Sequence, residues 1–121
     1  MIGVDLVKIE RIKKMIDKFG EKALKRYLND NEIKMVKKIE SAAGYWAAKE
    51  AIAKALKTGI GKELNFKDIE LYKEKSGAVN FKLPERFIKK YNICDTSLSI
   101  SHDGGFAIAV AVIESSSSHK C

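Results

Sequence analysis

The eight residues from Phe106 to Ile113 (Phe-Ala-Ile-Ala-Val-Ala-Val-Ile) are all apolar. Successive side chains of a strand point to opposite faces, so a strand of this kind has to be covered on both sides. A chain of 121 residues builds only a modest core. The run therefore predicts a strand covered on both sides, with another subunit supplying cover that so small a chain lacks.

The remaining elements arrange themselves around that strand. Asp103-Gly104-Gly105 predicts a hairpin joining a strand over 97–102 to the strand over 106–113. Residues 2–7 set Ile2, Val4 and Leu6 against Gly3, Asp5 and Val7, a strand signal with an acid in one apolar face. From 8 to 19 the period changes. Ile9, Ile12, Ile16 and Phe19 share one helical face, and Gly20 ends the run. Short helices follow near 21–28 and 31–40, with Asp30 a cap for the second. Residues 42–57, rich in alanine and lysine, form the clearest helix. Its apolar side carries Ala47, Ala48, Ala51, Ile52, Ala55 and Leu56, and small side chains predict close packing. Gly59 and Gly61 end it. A strand over 67–73, a Ser76-Gly77 turn, a strand over 79–82 and a helix over 84–91 opening at Pro84 complete the pattern. No repeat or linker divides the chain. The expectation is one α+β domain over 1–114, an antiparallel sheet packed against a long helix, with a disordered low-complexity tail over 115–121 in which His119 has no role.

A net charge of +7 predicts an anionic partner: nucleic acid, anionic membrane, a phosphorylated small molecule or an acidic protein. The sign alone does not choose among them. No stretch approaches the ~20 apolar residues of a membrane span, and the opening residues have no apolar signal core. Cys94 and Cys121 have no metal-ligand spacing and read as reduced thiols of a cytoplasmic protein.

Four features could carry chemistry. Asp5 is either a salt-bridged or solvated acid or a ligand for a hard cation such as Mg²⁺, which takes carboxylates together with substrate phosphates. Trp46, Glu50 and Lys54 recur every four residues and line one stripe of the long helix, with Lys57 one turn further. That stripe is either an ordinary Glu–Lys pair on a solvated face or a metal-binding acid beside an anion-binding lysine. His102 follows Leu98 and Ile100 on one strand face, either structural or donating to phosphate. Zinc is disfavoured without a second histidine nearby, and Ser99 and Ser101 lack the hydrolase elbow pattern. Between Lys8 and Arg26, eight basic residues face only Glu10, Asp17 and Glu21. Arg11, Lys14, Met15, Lys18 and Lys22 lie opposite the isoleucines, either a solvated face or a dock for an acidic, partly apolar helix. No glycine-rich phosphate loop is present, so phosphate would fall to a metal and lysines.

Three segments together resemble the 4′-phosphopantetheinyl transferase family in its holo-[acyl-carrier-protein] synthase branch. Gly3-Val4-Asp5 with Glu10-Arg11-Ile12 is similar to the family's Gly-x-Asp…Arg opening. Trp46-Ala47-Ala48-Lys49-Glu50-Ala51-Ile52-Ala53-Lys54-Ala55 is similar to its aromatic-Ala-Ala-Lys-Glu-Ala…Lys-Ala helix. Leu98-Ser99-Ile100-Ser101-His102-Asp103 is similar to its Ser-Ile-Ser/Thr-His strand, and Thr58-Gly59-Ile60-Gly61 also fits. The resemblance implies the transferase fold, assembled as a homotrimer with active sites between subunits. It implies Mg²⁺ on Asp5 and Glu50, coenzyme A as donor, Lys54 at the diphosphate and His102 near the coenzyme A phosphates. Lys57 and Gly59 join the expected coenzyme A contacts. Arg11, with Met15 and Lys18, matches the surface that docks apo acyl carrier protein. Where the family often has arginine this chain has Tyr45, and Lys57 is a candidate substitute.

The expected reaction is attack of a carrier-protein serine hydroxyl on the β-phosphate of coenzyme A, with adenosine 3′,5′-bisphosphate leaving, in support of fatty acid biosynthesis. Such chemistry needs positioning and charge neutralisation more than covalent catalysis. The serine's base is either a metal-bound water or one of the two carboxylates. Two other classes stand against this reading: a small basic nucleic-acid-binding module and a non-catalytic adaptor for an acidic protein.

Overall fold

The structure, a computed structural model, describes residues 1–116. Most of the expected tail, with His119 and Cys121, lies outside the described residues. The elements run β1 (Ile2–Lys8), α1 (Ile9–Phe19), α2 (Glu21–Lys25), α3 (Asp30–Met35), α4 (Ile39–Ala55), a 3₁₀ turn (Phe66–Asp68), β2 (Glu70–Lys73), β3 (Val79–Lys82), α5 (Glu85–Tyr91), β4 (Ile93–Asp103) and β5 (Phe106–Ser115).

The apolar run forms the middle strand. The antiparallel sheet has the order β1-β5-β4. Gly104 and Gly105, with φ of 57° and 84°, make the tight turn between Asp103 and its partner Phe106. Positive φ at both central residues matches the right-handed twist of the flanking strands, and glycine accepts it without a Cβ clash. Inward along β5, Ala107, Ala109, Ala111 and Ile113 are fully buried. Helix α4 covers that face, touching all three strands. The register sets Asp5 opposite Ala109 and Ile100 beyond it, and Val7 opposite Ala107 with His102 beyond it.

The small side chains do what their size predicts. A Cβ on Gly3 would run into the Ala51 carbonyl oxygen, so β1 lies directly on the α4 backbone. The other face of the sheet is apolar and uncovered by the chain: Ile2 is 68% exposed and Leu6 58%, flanked by Val4, Phe106 and Ile108.

Several boundaries differ from the sequence reading. There are two sheets, not one. The β2–β3 hairpin stands apart and is tied to β4 through side chains, Asn80 Nδ2 donating to Thr96 O at 3.2 Å and Thr96 Oγ1 to Asn80 Oδ1 at 3.0 Å. Helix α3 stops at Met35, and α4 begins at Ile39 rather than 42. The cap of α3 is Asn29, not Asp30. Asn29 Oδ1 accepts from Glu32 N while Glu32 Oε1 accepts from Asn29 N. Strand β4 starts at Ile93, with an irregularity in its pairing between Ile93 and Asp95. Phe19 is exposed, its ring between Lys18 Nζ at 5.3 Å and the Arg26 guanidinium at 4.5 Å.

Candidate functional site

Strand β1 and helix α4 are distant in sequence, yet their contact brings Asp5, Glu50 and Lys54 together. Gly3, Asp5 and Val7 face α4, and the lack of a side chain at Gly3 lets the two backbones meet. Two residues on, Asp5 projects toward the last turns of α4. Lys54 Nζ donates to Asp5 Oδ1 at 2.8 Å, with the Asp5 side chain 13% exposed and the Lys54 side chain 53%. Glu50, one turn earlier on α4, is half-buried. Burial raises its carboxyl above the ordinary range, and the neighbouring Asp5 charge pushes it the same way. Lys54 and Arg11 pull it back. Two carboxylates that feel each other's charge, with a cation at hand, form a set suited to a hard cation.

Arg11, at the start of α1, closes one side of this cluster. Its guanidinium lies 5.2 Å from the centre of the Trp46 ring. Trp46 in turn packs against Phe66, with ring centres 4.8 Å apart, and edge-on to Tyr27 at 5.0 Å. The stripe Trp46–Glu50–Lys54 seen in the sequence thus carries Arg11 at its Trp46 end and Asp5 at its Lys54 end.

Beside the cluster, Lys8, Arg11, Lys14, Met15, Lys18 and Phe19 line an open groove of about 470 Å³, with Glu10 its single acid. The three residues expected to dock a partner share this groove. Sequence reasoning missed Phe19, which helical period assigned to the buried face.

The other expected contacts lie apart from the acids. His102 is exposed, on the α4 side of the sheet but at the far strand. By strand spacing it stands roughly 12 Å from Asp5, two strands across and two residues along. Lys57 is exposed just past α4 with φ 62°, and Gly59 follows with φ 65°, both N–H groups of 58 and 59 bonding back to Ala53 O. Tyr45 is buried, its hydroxyl aimed at Met35 O at 3.5 Å, so it offers nothing to an anion.

A second feature escaped the sequence reading. Lys49 and Glu32 are both fully buried and paired at 2.8 Å. Lys49 Nζ also donates to Phe66 O at 2.9 Å, and Glu32 Oε2 accepts from Leu71 N at 2.7 Å. Burial pushes the Lys49 ammonium down while Glu32 holds it up. The only sequence signal was Asn29-x-x-Glu32, the pattern of a capping box.

Among the described residues no group of three or more histidine, cysteine or acidic side chains could hold a metal, and no helix is long and apolar enough to cross a membrane.

Residues 1–111 match the model of the 4′-phosphopantetheinyl transferase superfamily. A holo-[acyl-carrier-protein] synthase of Nitratiruptor sp. is 57% identical over 113 residues, 93% of this chain and 97% of that protein. One from Sulfurimonas denitrificans is 48% identical, covering 99% of each. The crystal structure of Helicobacter pylori holo-[acyl-carrier-protein] synthase in complex with coenzyme A superposes with a TM-score of 0.89 at 47% identity, over 94% of this chain and all of that one, a coverage of 100%.

Proposed function

The chain belongs to the 4′-phosphopantetheinyl transferase superfamily, and from that premise we propose that the Asp5–Glu50–Lys54 cluster is where it moves phosphopantetheine from coenzyme A to apo acyl carrier protein. The chain is a phosphopantetheinyl transferase and coenzyme A is its co-substrate. The observation that carries the site assignment is the Lys54–Asp5 contact, which sets one cation and two acids on a shared surface.

Asp5 and Glu50 would hold Mg²⁺. Two carboxylates are too few for an all-protein cage, but they fit a cation that keeps waters and takes substrate phosphate oxygens. When bound, the metal supplies charge neutralisation at the diphosphate. Lys54, held by Asp5 at the surface, reaches toward the same place. It offsets charge on the departing adenosine 3′,5′-bisphosphate as the serine oxygen gives up its proton to a nearby carboxylate or water and forms its bond to the β-phosphorus, and the P–O bond to the nucleotide breaks.

The groove beside Arg11 receives the carrier protein. Its cations attract an acidic helix, and Met15 and Phe19 give apolar contact. His102, Lys57 and Gly59 serve the nucleotide part of coenzyme A. Because His102 is far from Asp5 within one chain, this role is supported best by a homotrimer in which the bare face of the sheet packs on a neighbour. The setting is cytoplasmic, and the product supports fatty acid biosynthesis. The nucleic-acid-binding alternative has no such convergence: the cations flank a pair of acids and an apolar groove.

Incubation with apo carrier protein, coenzyme A and Mg²⁺, followed by weighing the carrier, tests the function. The expected result is a gain of one phosphopantetheine group. No gain from folded protein overturns it.

A further inference from the structure

Helix α4 is held by the close approach of β1 at Gly3, by the fully buried Ile52 and by the Tyr27 hydroxyl that donates to Ala42 O, but most of its buried positions are alanines. Ala42, Ala43, Ala47, Ala48, Ala51, Ala53 and Ala55 are at most 1% exposed, so the helix is wrapped by neighbours on almost every side. Methyl groups make shallow ridges, and shallow ridges resist rolling poorly. The one long polar side chain that penetrates this packing is Lys49. Its ammonium bonds Glu32 Oε1 and Phe66 O, and Glu32 is itself fixed by the N–H groups of Asn29 and Leu71. Helix α3 and the 3₁₀ turn therefore meet at the Lys49 ammonium, and strand β2 is joined to it through Glu32.

We infer that the buried Lys49–Glu32 pair sets the rotation of α4, and so acts as a positioning device for Glu50 and Trp46 in the transfer reaction; this rests on the function proposed above. Glu50 follows Lys49 directly, about 100° round the helix. Side-chain ends stand about 5–6 Å from a helix axis, so a roll of roughly 20° would displace the Glu50 carboxylate by about 2 Å relative to Asp5. A misplacement of about 1 Å is enough to cost on the order of a hundredfold in rate. The same ammonium holds Phe66 O, and the Phe66 ring backs Trp46, on which Arg11 rests. Buried ion pairs are weak stabilisers against an apolar replacement, and their best-attested use is to fix register. Lys49 touches no reacting group, so its action passes through Glu50 and Trp46.

The test uses Lys49→Met, which keeps the chain length and removes the donors, and Lys49→Gln, which keeps a donor. Trp46 is the sole tryptophan, so emission and near-ultraviolet circular dichroism report its surroundings without turnover. Folded Lys49→Met is expected to show altered Trp46 spectra and a kcat lower by about thirtyfold or more, with KM for coenzyme A within about threefold. Lys49→Gln should recover part of both. Parental spectra and kcat in folded Lys49→Met overturn the inference. If that variant does not fold, folded Glu32→Gln, which leaves the ammonium without its carboxylate, takes its place: parental spectra and kcat there overturn the inference, and altered values support it. A parent protein that transfers nothing refutes the proposed function, while the spectra still decide whether Lys49 fixes the helix.

Discussion

Lys54 Nζ sits 2.8 Å from Asp5 Oδ1, a bond spanning 49 positions of sequence and joining the opening strand to the end of the long helix. Its Lys54 side chain is 53% exposed, so the pair adds little to stability, less than about 1 kcal/mol. Its value lies in charge placement. Asp5→Asn is therefore expected to keep the melting temperature within a few degrees while phosphopantetheine transfer falls by about a hundredfold or more. Calorimetry beside a carrier-protein mass assay separates the two. Equal losses in stability and activity would make the pair a structural bridge.

Glu50 gives a prediction whose sign depends on pH. Folding raises its carboxyl above the ordinary 4.5, first through burial and then through Asp5. Between the unfolded and folded values the native state holds more protons than the unfolded state, so stability falls as pH rises. The favourable contribution is complete below about 4.5 and is lost as pH climbs through the folded value. Glu50→Gln, which removes the charge, should therefore melt higher than the parent at pH 7 in chelator, and the gap should close as pH drops toward 4. A gap that is constant with pH would show that Glu50 pays nothing to stay charged.

Gly3 and Gly44 both face crowded neighbours but should respond differently to alanine. At Gly3 the added methyl would meet the backbone of Ala51 and Ala55, which cannot move without shifting the helix. Gly3→Ala is expected to cost about 3 kcal/mol or more and to disturb the acids two residues away. At Gly44 the methyl would meet the Ile100 Cγ2 at 2.8 Å, the tip of a side chain that can turn. Alanine also favours a helix interior by about 1 kcal/mol, so Gly44→Ala should be close to neutral. Denaturant midpoints of the two variants check this ordering.

The doubly apolar strand and the long helix were legible because their signals are periodic, and the nearness of Asp5 to the Glu50–Lys54 stripe was anticipated because an acid in an apolar strand is costly to leave without a partner. An all-apolar strand and an acid in an apolar face each leave few options. Phe19 was misplaced because helical spacing assigns a face without knowing how far the neighbouring elements extend along it, although the helix does end at Gly20. Here Gly20, with φ 62°, turns the chain and leaves Phe19 outside between two cations. The burial of Lys49 had no local signal, since its partner Glu32 lies on a separate helix. The splitting of the sheet was equally hidden. Asn80 and Thr96 replace a ladder with side-chain bonds, and strand patterns do not distinguish the two.

The uncovered sheet face carries the assembly prediction. Ile2, Val4, Leu6, Phe106 and Ile108 form a patch on the side away from α4. Each large apolar side chain gains about 1.5–3 kcal/mol when fully buried, and a carboxylate introduced there would cost several kcal/mol in an interface. Leu6 is 58% exposed and lies outside the chain's own core, so the Leu6→Asp monomer should remain folded. Sedimentation is expected to move from a trimer for the parent to a monomer for the variant, with transfer activity lost alongside. A variant that sediments as the parent does would place the subunit contact elsewhere.

The groove on α1 makes the last prediction, which concerns recognition rather than chemistry. Lys18 lines it without touching the acid pair, and its ammonium lies 5.3 Å from the Phe19 ring. Charges at the rim of an interface act chiefly on encounter rates and are screened within about 10 Å at ordinary salt. Lys18→Glu should therefore raise KM for the carrier protein by about tenfold and flatten its dependence on ionic strength. kcat at saturating carrier and KM for coenzyme A should stay near parental values, because neither Asp5, Glu50 nor Lys54 is disturbed. Phe19→Ala should raise the carrier KM too, but equally at low and high salt, since the contact it removes is apolar. A Lys18→Glu variant with unchanged carrier KM at low salt would mean that the acidic partner approaches from another side of the molecule.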